Sequence, residues 1–122
     1  MTEEAGGSTW LLNSWDVEIL RLVLAWRQPV IFRPAFKNKI AGIVVDPEAL
    51  TRRGRKPLKS GVVKPGETRI NHRVNCVFGH LLKGGLVERT RDTVVIIDRE
   101  GVQAILDAGQ VVYPRRGEHE AH

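Results

Sequence analysis

The sequence predicts an α+β domain, mainly α, with three helices, a two-stranded hairpin and a closing helix. Three observations point there. Apolar residues recur at helical spacing in four separate stretches. Between the third and fourth, at "LVERTRDTVVII", the period shortens to that of strands around a tight polar turn. Glycine, proline and capping residues punctuate each boundary. A chain of 122 residues suits one domain with a modest core, and its 42% hydrophobic and 27% charged residues are ordinary for a globular chain.

Residues 1–9 read as a flexible arm and 114–122 as a flexible tail, which leaves 10–113 for the domain. Asn13 or Ser14 can cap a first helix through about Trp26, with Asp16 and Glu18 near its positive end. Trp15, Ile19, Leu22, Val23 and Trp26 form its apolar stripe. Leu20 and Leu24 widen that stripe, which implies burial on more than one side. Gln28-Pro29 ends the helix. After "VIFR", Pro34 can start a second helix whose buried face is Phe36, Ile40, Ile43 and Val44. Asp46-Pro47 opens at most a short helical turn through Leu50. Residues 46–68 as a whole read as a long basic loop, of a length that is usually functional or disordered.

A third helix is predicted over 69–83, with Ile70, Val74, Val77, Phe78 and Leu81 on its buried face. At about 100° per residue, Arg69, His72, Cys76, Gly79 and Lys83 fall on the opposite face, with Arg73 and His80 on its flank. Lys83-Gly84-Gly85 supplies a basic last turn and glycine for a left-handed stop. "LVER" and "VVII" are strands, with Arg91 at the tip of the turn between them. Asp98 caps a fourth helix that Ala108-Gly109 ends, and "VVY" can add a short extended segment. Three helices, a hairpin and a closing helix follow the order of a winged helix-turn-helix.

Charge gives that order a use. Residues 52–92 carry a balance of +8, against −3 for the remainder, so a basic surface adjoins a mildly acidic one and favours a polyanionic partner. A polar-faced helix about fifteen residues long can lie in a DNA major groove, and the hairpin beside it can reach phosphates. The candidate DNA-binding residues on the helix are Arg69, His72, Arg73, Cys76, His80 and Lys83. The hairpin adds Arg89 and Arg91, and the loop adds Arg52, Arg53, Arg55, Lys56, Lys59 and Lys64. Each has a plainer reading as a solvated surface charge. Arg73 also borders the apolar stripe and can reach back to a carboxylate or helix end, and Asn71 faces near the core.

"LTRRGRKPLKSGVVKPGETRINHRVNCVFGHLLKGGLVERTRDTVVIIDREG" resembles the N-terminal domain of Mrr-type restriction proteins. The matching pieces are Ser60-Gly61, Asn71, Arg73-Val74, the run Leu81 to Val87, and the cap Ile97-Asp98-Arg99-Glu100-Gly101. They lie within about residues 46–106. The chain departs from the family in having Cys76-Val77 where Trp-Ala is frequent, a second glycine in "KGGL", and Asp98 in place of a capping Thr. The resemblance implies a winged helix that reads duplex DNA in a modification-dependent restriction system. Such proteins carry a separate C-terminal metal-dependent nuclease fold. Residues 107–122 are too few to supply one, so the resemblance implies the reading module, with a nuclease domain or subunit as partner. It also raises the reading of a modified base by early aromatics. Trp15 and Trp26 are better explained as core, while Trp10 and Phe32 stay open.

Enzyme chemistry is not expected. Cys76, the single cysteine, excludes an internal disulfide and shows no acid–base partner at helical spacing; a reducing intracellular setting is the simplest fit. "HEAH" at 119–122 is one residue short of a two-histidine zinc pattern, Gly84-Gly85 lacks the Lys-Ser/Thr of a phosphate loop, and no paired carboxylates stand out. No cofactor or metal is therefore expected. The start is acidic and Gly-rich, unlike a signal peptide, and no apolar run is long enough for a membrane span. The expected setting is cytoplasmic, and nucleoid-associated for a regulator. Two other uses suit the same pattern. One is a small transcription regulator, a homodimer because two-fold sites match dimers. The other is a protein-interaction winged helix.

Overall fold

The computed structural model describes residues 9–54, 57–63 and 66–112. Among these it is α+β, with four helices and small antiparallel sheets. Strand β1 (Thr9–Leu11) leads into helix α1 (Ser14–Ala25). Asn13 and Asp16 close a capping box there: Asn13 Oδ1 accepts from the Asp16 amide at 2.8 Å, and Asp16 accepts from the Asn13 amide at 3.0 Å. The helix buries Ile19, Leu20, Leu22 and Val23, so its broad stripe faces neighbours on more than one side.

Strand β2 (Val30–Phe32) runs straight into helix α2 (Arg33–Ile43), which begins with Pro34 in its first turn. "VIFR" is therefore more than a lead-in. Phe36 and Ile40 are buried on α2, whereas Ile43, expected beside them, is substantially exposed because the helix ends there. Pro47–Leu50 form one 3-10 turn capped by Asp46, as far as the sequence allows, and bury Ala49.

Helix α3 (Arg69–Lys83) has Thr68 as its cap and buries Ile70, Val74, Val77, Phe78 and Leu81, the face that the spacing predicts. At its end Gly85 takes φ 77°, and the Leu86 amide donates to the Leu81 carbonyl at 2.9 Å. Strands β3 (Val87–Thr90) and β4 (Thr93–Ile96) then form the hairpin around Arg91-Asp92, with Arg91 at φ 45°. β2 adds to the far side of β4, with Val30 opposite Val95 and Phe32 opposite Thr93. The expected two-stranded wing is thus part of a three-stranded sheet in the order β2-β4-β3. Helix α4 (Arg99–Ala108), capped by Asp98 and stopped by Gly109 at φ 74°, returns the chain to strand β5 (Gln110–Val112).

β5 pairs with β1, with Trp10 opposite Val111. Thr9, expected in the arm, therefore belongs to the domain. The rest of the arm, residues 1–8, and the tail from residue 113 lie outside the described residues. Trp10 is only 5% exposed and joins a core built from α1, α2, α3 and the inner sheet face: Ile19, Val23, Phe36, Ile70, Val74, Phe78, Ile31 and Val94. No helix among the described residues is long and apolar enough to cross a membrane.

Candidate nucleic-acid interface

The polar side of α3 divides into two flanks with different fates. On the flank toward α1, Arg73 lays its guanidinium on Asp16: Nη2 donates to Oδ2 at 2.6 Å, and Nε donates to Oδ1. Asp16 is fully buried, so the pair is structural, the second of the two readings open for Arg73. The hydrogen bonds to Asp16 raise the arginine pKa against the desolvation that opposes it. Two turns further on, His80 stacks on Trp10 with ring centroids 4.1 Å apart and planes 6° from parallel. Burial lowers the His80 pKa, and the nearby charges of Arg73 and Lys83 act the same way, with Asp16 opposing them. Arg73 and His80 are thus removed from the predicted groove face: the wide stripe of α1 and the β1–β5 ribbon fold over that flank.

The outward flank is accessible. Arg69 opens it; its Nε donates to Thr51 Oγ1 at 3.0 Å and lies 3.3 Å from Glu48 Oε2. His72 follows one turn later, then Cys76, Gly79 and Lys83. A Cβ built on Gly79 meets nothing within 4 Å, so the middle of the stripe is open and flat. Lys83 is exposed at the C-terminal end.

Cys76 is not without a partner at helical spacing. Its Sγ is 3.5 Å from Nε2 of His72, one turn earlier. On the other side of that ring, Nδ1 lies 3.7 Å from Glu67 Oε2. Glu67 is the hub of this end of the helix: Lys37 Nζ from α2 is 3.6 Å from Oε1, and Asn75 Nδ2 donates to the same oxygen at 3.5 Å. Lys37, Glu67 and Asn75 were missed as site residues. The i to i+4 spacing of His72 and Cys76 is readable in the sequence, but nothing local places Glu67 between them and α2. Among the described residues no group of three or more His, Cys, Asp or Glu is placed to hold a metal ion.

The hairpin is tied to α3 through Arg33, which reaches both the turn and Asn75. Arg89 pairs with Val94, whose side chain is buried, so alternation puts Arg89 on the sheet face that packs on the core. Arg89 itself reaches solvent, and Arg91 is exposed at the tip. Arg33, a residue the sequence reading passed over, clasps that tip. Its amide donates to the Asp92 carbonyl at 2.7 Å, its Nη2 donates to the Arg91 carbonyl, and its Nη1 reaches Asn75 Oδ1 at 3.5 Å. This one residue thereby ties the start of α2, the turn and α3 together.

The 46–68 segment is ordered at its root. Arg52 bridges Thr68, the Arg53 amide donates to the Glu67 carbonyl at 3.0 Å, and the Arg69 amide donates to the Thr51 carbonyl at 2.9 Å. Arg52 Nη1 also donates to the Gly66 carbonyl at 2.7 Å, so part of this predicted phosphate contact holds the stem together. Arg53 and Lys59 are exposed, while Arg55, Lys56 and Lys64 lie outside the described residues.

The early aromatics do not gather around an open cage. Trp26 packs on Phe36 and Phe36 on Phe78, with centroids 5.4 and 5.2 Å apart. Trp15 is half-buried, with Nε1 donating to Asp46 Oδ2 at 3.2 Å, and Trp10 lies under His80. Phe32, 51% exposed, stands on the outer face of the sheet beside Val30 and Val95. No protein-family model, curated protein or solved structure matches the chain.

Proposed function

We propose that the chain is a non-enzymatic winged-helix module that binds duplex DNA through the outward stripe of α3. Its support is the row Arg69–His72–Gly79–Lys83, half-buried to exposed, on a helix of 15 residues, to which Arg33 ties a hairpin carrying the exposed Arg89 and Arg91. The order α1, β2, α2, α3, β3, β4, with β2 returning to pair with β4, suits a winged helix-turn-helix. A helix of that length spans about 22 Å and enters a major groove about 12 Å wide. Gly79 lets the groove floor or wall come close. The two ends of the stripe then meet phosphates through Arg69 and Lys83, and the hairpin meets the next backbone through Arg89 and Arg91. Glu48 and Glu67 hold Arg69 and His72 in place before the duplex arrives, at the cost of two negative charges close to the binding face.

The resemblance to Mrr-type N-terminal domains favours use as the reading module of a modification-dependent restriction system. A dimeric regulator uses the same face. A protein-interaction role draws support from Val30, Phe32 and Val95, an apolar group open on the outer sheet face.

A titration of plain duplex against the chain at several salt concentrations separates these readings. With about six phosphate contacts, log K falls with log salt at a slope near −5. No binding at low salt rejects the DNA reading and leaves the interaction module. A repeat with methylated duplexes tests the restriction use, which equal affinity for every duplex rejects.

A further inference from the structure

The turn between the ordered stem and α3 combines two properties that rarely coexist on a loop. Leu58, Val62 and Val63 are 45%, 56% and 57% exposed, three aliphatic side chains within six residues. The segment that carries them is basic: Lys59 stands in the turn itself and Arg52 and Arg53 in the stem, with no acidic residue in 52–64. A simple solvated loop has no use for such side chains, since each would gain roughly 1.5–3 kcal/mol on full burial. An exposed aliphatic group in a basic segment fits an occupant that offers apolar faces between anionic edges. The stacked bases of a duplex, seen from the groove between two phosphate ridges, are such a surface.

The turn is also shaped to keep its side chains in place. The Leu58 amide donates to the Val62 carbonyl at 2.9 Å and the Gly61 amide to the Leu58 carbonyl at 2.8 Å. Gly61 sits at φ +86°, a backbone region that side-chain-bearing residues rarely adopt, and this sends the chain back on itself. Leu58 and Val62 are thereby held at the two ends of one short turn, followed directly by Val63. The stem is pinned to the first residue of α3 through Thr51 and Arg69. With α3 in a major groove, a loop rooted at one end of that helix meets the backbone bordering the groove and the minor groove beyond it.

We infer that Leu58, Val62 and Val63 form an apolar wedge that enters the minor groove next to the α3 site and kinks the duplex, with Lys59 and Arg53 on the flanking phosphates. This rests on the DNA-binding reading above and extends it to the shape of the DNA. Aliphatic side chains inserted between base steps unstack them and bend DNA by about 20–90°. The bend depends on how easily a step unstacks, so the wedge adds preference for flexible pyrimidine–purine steps that α3 does not contact.

The test uses the full chain and a duplex of about thirty base pairs labelled at both ends for energy transfer. The wild type should bind and shorten the end-to-end distance by the amount a kink of about 20° or more produces. The variant Leu58→Ser/Val62→Ser/Val63→Ser changes only exposed side chains, so its unfolding midpoint should match the wild type. It should bind with an unchanged salt slope and an affinity about tenfold lower, and leave the duplex straight. A wild-type complex with straight DNA overturns the wedge and leaves the α3 reading intact. Equal bending by wild type and variant does the same. Absence of binding by the wild type overturns the α3 reading and the wedge with it.

Discussion

Arg73 and Lys83 leave the same helix, both were candidates for the same groove, and they end in different environments. Arg73 turns toward α1 and closes on a fully buried carboxylate, with His80 stacked on Trp10 two turns beyond. Lys83 stays on the outward side, in line with Arg69, His72 and an unobstructed Gly79. Some ten residues apart on one helix, one cation closes on a buried acid and the other lies at the exposed surface. The charges of one basic helix therefore do not share one environment; burial of the opposing acid decides which of them is drawn into the fold.

The comparison can be broken most decisively on the α1 side. Arg73→Met leaves Asp16 buried without its charged partner and should lower unfolding free energy by about 3 kcal/mol or more, read from denaturant midpoints. DNA affinity per folded molecule should not change. A loss of affinity without a loss of stability would return Arg73 to the groove face.

Gly79→Glu does the reverse. The new side chain enters open space and improves helix propensity by up to about 1 kcal/mol, so the fold should hold or gain. Facing phosphates, the added carboxylate should weaken DNA binding at least tenfold, about 1.4 kcal/mol. Binding unaffected by this change would mean that the outward flank does not meet DNA.

Glu67→Gln sharpens the same side. It removes the acid shared by Lys37, His72 and Asn75, and so should raise affinity about fivefold, close to 1 kcal/mol, and steepen the salt slope by about one. Titrations of the variant beside the wild type check this.

The smallest effect is a pH dependence from the stacked flank. The His80 pKa is lowered from 6.5 in the folded chain, so folding favours the neutral ring. The stability this gives is fully present above pH 6.5 and is lost as pH falls from there through the folded value. His80→Phe keeps a stacking ring and should remove that part of the acid-side slope in thermal melts followed from pH 7 to 5.

The local grammar of the chain was readable in advance. Asn13 as cap, the buried row from Ile70 to Leu81, the left-handed stop after Lys83, the Arg91 turn and the Asp98 cap all follow from residues within four or five positions of one another. Failures begin where partners are distant. "VIFR" lacks the alternation of a half-exposed strand, and only the β4 edge gives its backbone groups somewhere to pair. The role of Trp10 stayed open because the strand that pairs with it, β5, comes about a hundred residues later. Cys76 and His72 are the exception, a pair at helical spacing that could have been seen.

Sequence alone was thus enough for the four helices, the hairpin and the caps at Asn13 and Asp98, because propensity and hydrogen bonding within a turn depend on neighbours along the chain. Tertiary structure decided which flank of α3 stayed open and which was covered. Asp16 and Arg73 are separated by 57 positions, and the choice between a buried ion pair and a solvated charge is made by the desolvation of both groups together, a quantity that exists only once α1 lies against α3.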